Sequence, residues 1–245
     1  MIKNIFIDEK ISYFKEQIIL GSILGDGYIY KDKRYEGYGY SERHSLKQKN
    51  YLIWKNKYLN FSFKEYKNKK YNICIIRKGD KKFKYYRGLF YPKGIKIVTR
   101  NILEKLDPLG LAVWLMDDGN YDYEHNNLRL YTQSFGLKGN KIIQKWFSNR
   151  WNIISKIRMT TKIIGNDNIR KKYFYLEVNR DNSRKFIEII KNHIPKFMDY
   201  KIGLDEKRKE RGRLTQRLSC RRWQEKNKDK IKAYYKEHKK DKKNL

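Results

Sequence analysis

Three carboxylates stand where they could do chemistry. Asp117 and Asp118 close one apolar run just before Gly119, and Asp26 closes another just before Gly27. The later run opens on Asp107-Pro108. Aspartate is a good N-cap, and proline suits the first helical position because its missing N–H would be unpaired there anyway. Leu109, Leu111, Ala112, Val113, Trp114, Leu115 and Met116 then predict a helix apolar nearly all round, hence buried, with Gly119 as its C′ residue. Acids in its last turn face the negative end of the helix dipole, at roughly 0.3–1 kcal/mol per group. Alone, such an ending is either a plain surface stop or a cation site.

Repetition shifts the balance toward the cation. Residues 18–27 form a second short apolar segment that ends in Asp-Gly. Its Gly21 and Gly25 are four apart, hence on one face, and small residues let two helix backbones approach closely. Helices packed that tightly bring Asp26 and Asp118 together, and a hard divalent cation relieves the repulsion. Carbonyl oxygens at a helix C-terminus lack intrahelical partners, so those of Gly25 and Asp117 are further candidate ligands.

The elements that hold these groups follow from periodicity. Residues 1–11 read as a polar lead-in, and Ser12 as the cap of a helix over 13–26, with Phe14, Ile18, Leu20, Ile23 and Leu24 on its apolar face. Then come a hairpin over 28–40, a mostly polar strand over 41–48, and a helix carrying Tyr51, Trp54 and Tyr58. Paired strands over 61–66 and 73–77 lead to a helix with Phe83, Tyr86 and Phe90, closed by Pro92 and Gly94. The second half repeats the order. Its motif helix leads to 121–123, a strand over 128–135, and a helix with Ile143, Trp146, Phe147 and Trp151. Strands over 158–164 and 172–179 precede a helix capped by Asn182 or Ser183, with Phe186, Ile187 and Ile190 inward, ending at Pro195. After the last helices, Pro92-Lys93-Gly94-Ile95-Lys96-Ile97 runs beside Pro195-Lys196-Phe197-Met198-Asp199-Tyr200-Lys201-Ile202. A repeat of this length predicts two copies of one α/β unit about a pseudo-dyad, in halves 12–100 and 101–204.

Composition narrows the partner. The 245 residues carry a net charge of +32, which attracts polyanions, nucleic acid first among them. No apolar stretch approaches the ~20 residues that span a bilayer, so a membrane is not expected. Asp8, Glu9, Lys10 and Lys15 interrupt any signal peptide, and the N-terminus is too acidic and too poor in Arg for a transit peptide. Cys74 and Cys220 make neither a disulfide framework nor a zinc site, which reads as a reduced, intracellular compartment, organellar by local synthesis or prokaryotic. Residues 205–245 hold 17 Lys and Arg against 7 Asp and Glu, with few aliphatics. They are either a solvated, partly helical tail or an accessory nucleic-acid-binding arm that would touch phosphate through Arg217, Arg221, Arg222 and Trp223.

The two motif segments, with Leu130-Tyr131-Thr132-Gln133-Ser134-Phe135 and Tyr200-Lys201-Ile202 downstream, resemble the paired motifs of LAGLIDADG homing endonucleases, in the single-chain, two-motif branch. The likeness runs over roughly residues 15–204. It implies an α+β (α/β) fold of two pseudo-symmetric α-β-β-α-β-β-α units whose sheets form a saddle over DNA. On this resemblance Asp26 and Asp118 sit on the family's catalytic acids, Asp117 on the position before, and Lys96 and Lys201 on its active-site lysines, which orient water or stabilise phosphorane charge. The chemistry implied is phosphodiester hydrolysis with Mg²⁺ (or Mn²⁺). A monomer would make a staggered double-strand break in a long, asymmetric double-stranded DNA target. Strand alternation groups Arg129, Tyr131 and Gln133, and groups Arg158, Thr160 and Lys162 in a second row. Arg43 and Ser45, with Gln48 nearby, are the first-half candidates, with Arg reading guanine and Gln reading adenine.

Two rivals stay open: an RNA maturase that assists splicing of a host intron RNA, and a catalytically inactive sequence-specific DNA-binding protein. Retention of both acids favours an enzyme over the second but does not exclude the first. Other chemistries find no support. His44, His125, His193 and His238 form no cluster in sequence, and no Gly-rich loop followed by Lys-Ser/Thr is present.

Overall fold

The computed structural model describes residues 2–32, 37–68, 71–164 and 169–241. The first half runs α1 (Ile2–Leu24), β1 (Tyr28–Asp32), β2 (Gly37–Ser45), α2 (Lys49–Leu59), β3 (Ser62–Lys67), β4 (Asn72–Gly79) and α3 (Phe83–Phe90). A short α4 (Arg100–Leu103) leads into the second: α5 (Pro108–Asp118), β5 (Gly119–Asp122), β6 (Asn127–Leu130), α6 (Gly136–Trp151), β7 (Ser155–Ile164), β8 (Ile169–Val178) and α7 (Arg180–Ile190). Each half is α-β-β-α-β-β-α, with a four-stranded antiparallel sheet in the same order, β1-β2-β4-β3 and β5-β6-β8-β7. The two copies expected from the repeat, and the α+β fold implied by the resemblance, are present. Two basic helices follow, α8 (Glu206–Lys226) and α9 (Lys228–Asp241).

The motif helices α1 and α5 form the seam between the halves, and glycine makes it close. A Cβ on Gly21 would lie 2.3 Å from the Gly110 carbonyl oxygen and 2.8 Å from Val113 Cβ. One on Gly25 would lie 2.4 Å from Asp117 Cβ. Leu111 to Met116 are buried almost completely, as an all-round apolar helix requires. Asp107 caps α5 by accepting from the Gly110 N–H at 2.9 Å. The Gln17 side-chain amide ties α1 to the α5 approach, donating to the Lys105 carbonyl and accepting from the Asp107 N–H, both at 3.0 Å. Gly21→Ala is therefore expected to cost about 1–3 kcal/mol by overpacking against backbone. Gly88→Ala on exposed α3, where a Cβ meets nothing within 4 Å, should add about 0.5–1 kcal/mol. Denaturant unfolding of both variants checks the contrast, and equal effects would refute the close seam.

Five sequence expectations need correction. Helix α1 begins at Ile2, because nothing between there and Gly21 breaks a helix, so Ser12 is interior rather than a cap. Strand β2 ends at Ser45, and Gln48 lies in a 3-10 turn, Leu46–Gln48. Strand β6 ends at Leu130, because Thr132 turns inward to Asn140, whose side-chain amide donates back to the Thr132 carbonyl at 3.2 Å. Gln133 therefore falls in a second 3-10 turn, Gln133–Phe135. Helix α7 is capped by Asn179, while Asn182 and Ser183 brace neighbours: Asn182 Oδ1 accepts from Ile154 N–H and Ser183 Oγ from Leu128 N–H. Finally, Gly119 is extended (φ −90°) rather than left-handed, and its lack of a Cβ matters because one would sit 2.3 Å from the Leu115 carbonyl oxygen.

Candidate active site

The C-termini of α1 and α5 end side by side, and four predicted groups meet there. The Lys96 Nζ donates to the carbonyl oxygens of Leu24 (3.0 Å) and Gly25 (2.8 Å). The Lys201 Nζ donates to those of Gly119 (2.8 Å) and Asp117 (3.4 Å). Each lysine thus closes the motif helix of its own half, supplying positive charge where the dipole is negative. Burial pushes both ammonium groups below their ordinary pKa, against the pull of Asp118, Asp117 and Asp26.

Asp118 is largely buried, and its carboxyl is pushed up to about 7 by burial first, then by the charges of Asp117 and Asp26. Desolvation and crowded like charge both disfavour the carboxylate, desolvation more. Oxygen donors of this kind suit a hard divalent cation: the carboxylates of Asp26 and Asp118, with the Gly25 and Asp117 carbonyls sharing their second lone pair beside the lysines. The donor set therefore fits Mg²⁺ or Mn²⁺. Against its unfolded value of 3.8, the raised Asp118 pKa means that the folded state holds a proton the unfolded chain has released. This group consequently costs stability progressively as pH rises from about 4 through about 7. A bound cation requires the carboxylate, so the melting-temperature gain on adding Mg²⁺ should be larger at about pH 8 than at about pH 5.5. A gain that falls with rising pH would refute the site.

Asp117 points elsewhere. Its carboxylate is buried, accepting from Lys55 Nζ at 2.7 and 3.0 Å, from Tyr51 OH at 2.7 Å and from the Asp26 backbone N–H at 3.4 Å. Lys55 also donates to Glu42 Oε1 at 2.5 Å, and the side chains of both are wholly buried. Tyr40 OH donates to Glu42, and His44 Nε2 lies 2.6 Å from Glu42 Oε1. The opposite ring nitrogen of His44 faces Gln48 Oε1 at 3.3 Å and Asp26 Oδ2 at 3.8 Å. Burial alone would raise Glu42, but Lys55 and then His44 hold it at about 2. Burial raises Asp117 to about 6 despite Lys55. Ligand atoms of Asp26, His44 and Asp117 lie within 4.8 Å of one another, the only such three-residue group among the described residues. Lys55 and Tyr51 already occupy Asp117, so the open acids are Asp26 and Asp118.

The sequence carries a signal for this network. Glu42 and His44 share strand parity with inward Tyr40, and Lys55 lies on the helical stripe of Tyr51, Leu52 and Leu59.

The open faces of the sheets carry the other predicted residues. Arg43 and Ser45 are exposed on β2, in register with Ile75 and Lys64, and with Ile73 and Tyr66. Arg77 joins them, donating to Ser41 Oγ at 3.3 Å. In the second sheet Arg158, Thr160 and Lys162 stand on β7 in register with Tyr175, Tyr173 and Lys171. Arg158 and Arg129 both pair with Glu177, at 2.7 and 3.5 Å, and Arg129 also with Asp122 at 2.7 Å. The Tyr131 ring packs 5.7 Å from Tyr175, whereas Gln133 leaves the strand row for its turn. Among the described residues no helix is long and apolar enough to cross a membrane.

The chain is similar to several known proteins. Protein RecA of Mycolicibacterium chitae is 30% identical over 120 residues, 48% of this chain and 28% of that protein. The intron-encoded endonuclease ai4 of Dictyostelium discoideum is 30% identical over 123 residues, 50% of this chain and 71% of its own. The cytochrome b mRNA maturase bI2 of Saccharomyces cerevisiae is 26% identical over 207 residues, 76% of this chain and 46% of its own. The chain thus spans well under two thirds of the RecA and maturase proteins. Among solved structures, the homing endonuclease I-WcaI bound to its DNA recognition sequence has the same fold, with a TM-score of 0.61 at 22% identity over 78% of this chain and 87% of that one. The model of the LAGLIDADG DNA endonuclease family matches residues 16–186, well over half of the sequence and both motif segments, and the chain belongs to that family.

Proposed function

We propose that the protein is a site-specific homing endonuclease that makes a staggered double-strand break in a long, asymmetric DNA target. The observation that carries this reading is the meeting of both motif-helix ends, each with one open acid and one lysine on its own carbonyls. The halves, residues 12–100 and 101–204, would each contribute one acid and one lysine to one strand. Asp26 and Asp118 would hold the divalent cation, Mg²⁺ or Mn²⁺, with the Gly25 and Asp117 carbonyls. When bound, that ion lowers the pKa of attacking water and neutralises charge on the scissile phosphate. Lys96 and Lys201, already aimed at the helix ends, would stabilise charge developing on the phosphorane oxygens. Arg43 and Ser45, with Gln48 in the turn after them, and Arg129, Tyr131, Arg158, Thr160 and Lys162, with Gln133 beside them, would lie along the major groove. Glu177 and Asp122 would hold Arg129 and Arg158 in fixed poses. The test is cleavage of a randomised duplex library with Mg²⁺ and with Ca²⁺, sequencing the cut ends. One recurrent site, cut with Mg²⁺, is expected; degradation without a site would refute the reading.

A second reading, assistance to intron RNA splicing, has the alignment to maturase bI2 over 76% of this chain in its favour. It uses the same basic surface and is compatible with both acids. RNA binding by an Asp118→Asn variant that no longer cuts separates the two activities.

The tail adds a further expectation. Helix α8 starts at the Asp205 cap, and Arg208 stacks 4.5 Å over the Tyr200 ring. Gly212 packs where a Cβ would lie 2.6 Å from the Tyr123 carbonyl oxygen. Beyond that anchor Arg217, Arg221, Arg222 and Trp223 are exposed. Truncation after Gly212 should leave the cut position unchanged and weaken binding to target and random DNA alike. It should also flatten the salt dependence, by a slope of about 0.9 for each phosphate that the tail neutralises. Affinity measured from low to moderate salt checks it, and an unchanged slope would make the tail a solvated extension.

A further inference from the structure

The two halves match in fold, acids and lysines, but not in what lies beneath the acids. Strand pairing aligns them. Tyr28 pairs with Ser41 after the first motif, and Asn120 with Arg129 after the second. Glu42 therefore corresponds to Leu130, and His44 to Thr132. Helices α2 and α6 end on the left-handed asparagines Asn60 and Asn152, and counting back from each aligns Lys55 with Phe147. Asp117, one residue before Asp118, corresponds to Gly25, whose missing side chain leaves the room that Asp117 fills. A buried network of Glu42, His44, Lys55 and Asp117 thus faces counterparts Leu130, Thr132, Phe147 and Gly25, none of them charged.

This network touches one acid by two atoms. Asp117 Oδ2 accepts from the Asp26 N–H at 3.4 Å, and His44 Nδ1 stands 3.8 Å from Asp26 Oδ2. The His44 ring cannot swing away. Its side chain is 1% exposed, Glu42 holds the far nitrogen at 2.6 Å, and Lys55 and Tyr40 hold Glu42 in turn. At the matching position beside Asp118, Thr132 is turned away to Asn140. We propose that His44, clamped by Glu42, is a positioning residue that fixes the Asp26 carboxylate and makes the two strand-cutting centres unequal. One strand of the duplex is then cut before the other. The inference rests on the reading above, in which each acid serves one strand.

Two measurements test it, both on the full-length chain. In the first, each strand of the recovered target carries its own end label, and the cutting rate of each is followed with Mg²⁺. The wild type should cut them at different rates. His44→Thr, which installs the other half's residue, should change the ratio of the two rates about tenfold while one strand stays within about twofold. Glu42→Gln, which keeps the shape and one acceptor, should move the ratio in the same direction by less, and decides the matter if His44→Thr does not fold. Equal slowing of both strands, or an unchanged ratio, overturns the proposal. In the second, histidine-ring NMR of the metal-free, DNA-free protein identifies the His44 signals by their loss in His44→Thr. Those signals should shift in Asp26→Asn and hold in Asp118→Asn; the same response to both overturns the positioning role. A protein that cuts no duplex overturns the endonuclease reading and the strand claim with it, while the NMR result still decides whether His44 senses Asp26.

Discussion

Asp26→Asn and Asp118→Asn are each expected to abolish double-strand cleavage, by at least about a thousandfold, or ~4 kcal/mol on the barrier. The loss should come without unfolding. Burial and two neighbouring carboxylates raise Asp118 to about 7, so removing its charge relieves repulsion, and the melting temperature should hold or rise. Binding to the target in Ca²⁺ should persist, because the acids sit at helix ends while the proposed DNA contacts lie on the open faces of the sheets. The measurement is a strand-resolved cleavage assay beside a melt and a binding isotherm. Full cutting by either variant would end the two-acid mechanism. Cutting lost together with binding and folding would move both acids from chemistry to structure. Asp117→Asn is the internal control: both of its oxygens accept, from Lys55, Tyr51 and the Asp26 N–H, and an amide keeps only one acceptor, so the variant should lower stability first and cutting second.

The acids are legible because local chemistry betrays them, and the lysines through the family resemblance and the internal repeat. Asp-Gly after an apolar helix occurs twice, and a lysine follows each half's last helix at a similar place. The Gly21–Gly25 spacing foretells the seam for the same reason: it is a property of one helix face. Longer-range features hide. The break after Leu130 depends on Thr132 meeting Asn140 across a turn, and strand alternation carries no record of that bond. Lys55 escapes notice because charge in a basic chain reads as solvated surface. Its partners come from β2 and from the other half's motif helix, which no window around it contains. Glu42 and His44 likewise read as two polar residues of an exposed strand, although parity with Tyr40 puts them inside.

Lys55 is the residue on which stability should depend most steeply. Its ammonium, fully buried, balances two buried carboxylates drawn from different halves. Lys55→Met removes the cation and leaves Glu42 and Asp117 in low dielectric with only tyrosine hydroxyls, His44 and one backbone N–H to meet them. Breaking a buried pair in this way costs on the order of 3–5 kcal/mol, a large share of the ~5–15 kcal/mol of a typical fold. The loss has a pH signature. In the wild type Glu42 is depressed from 4.5 to about 2, so its contribution is present above the unfolded value and lost as pH falls through about 2. In Lys55→Met the Lys55 share of that depression is gone, only the His44 share remains at Glu42, and both acids take up protons more readily. The gap between variant and wild type should therefore narrow as pH drops from about 7 to about 4.5. Replacing the set by the apolar residues of the other half (Glu42→Leu, Lys55→Phe and Asp117→Gly together) should recover most of the loss, since buried ion networks often exchange for hydrophobic packing at little cost. Denaturant unfolding of wild type, single and triple variants across that pH range measures all three expectations. A pH-independent gap, with the triple variant no better than Lys55→Met, would mean that Lys55 matters for its packing alone and that the charges at the centre of the molecule stabilise nothing.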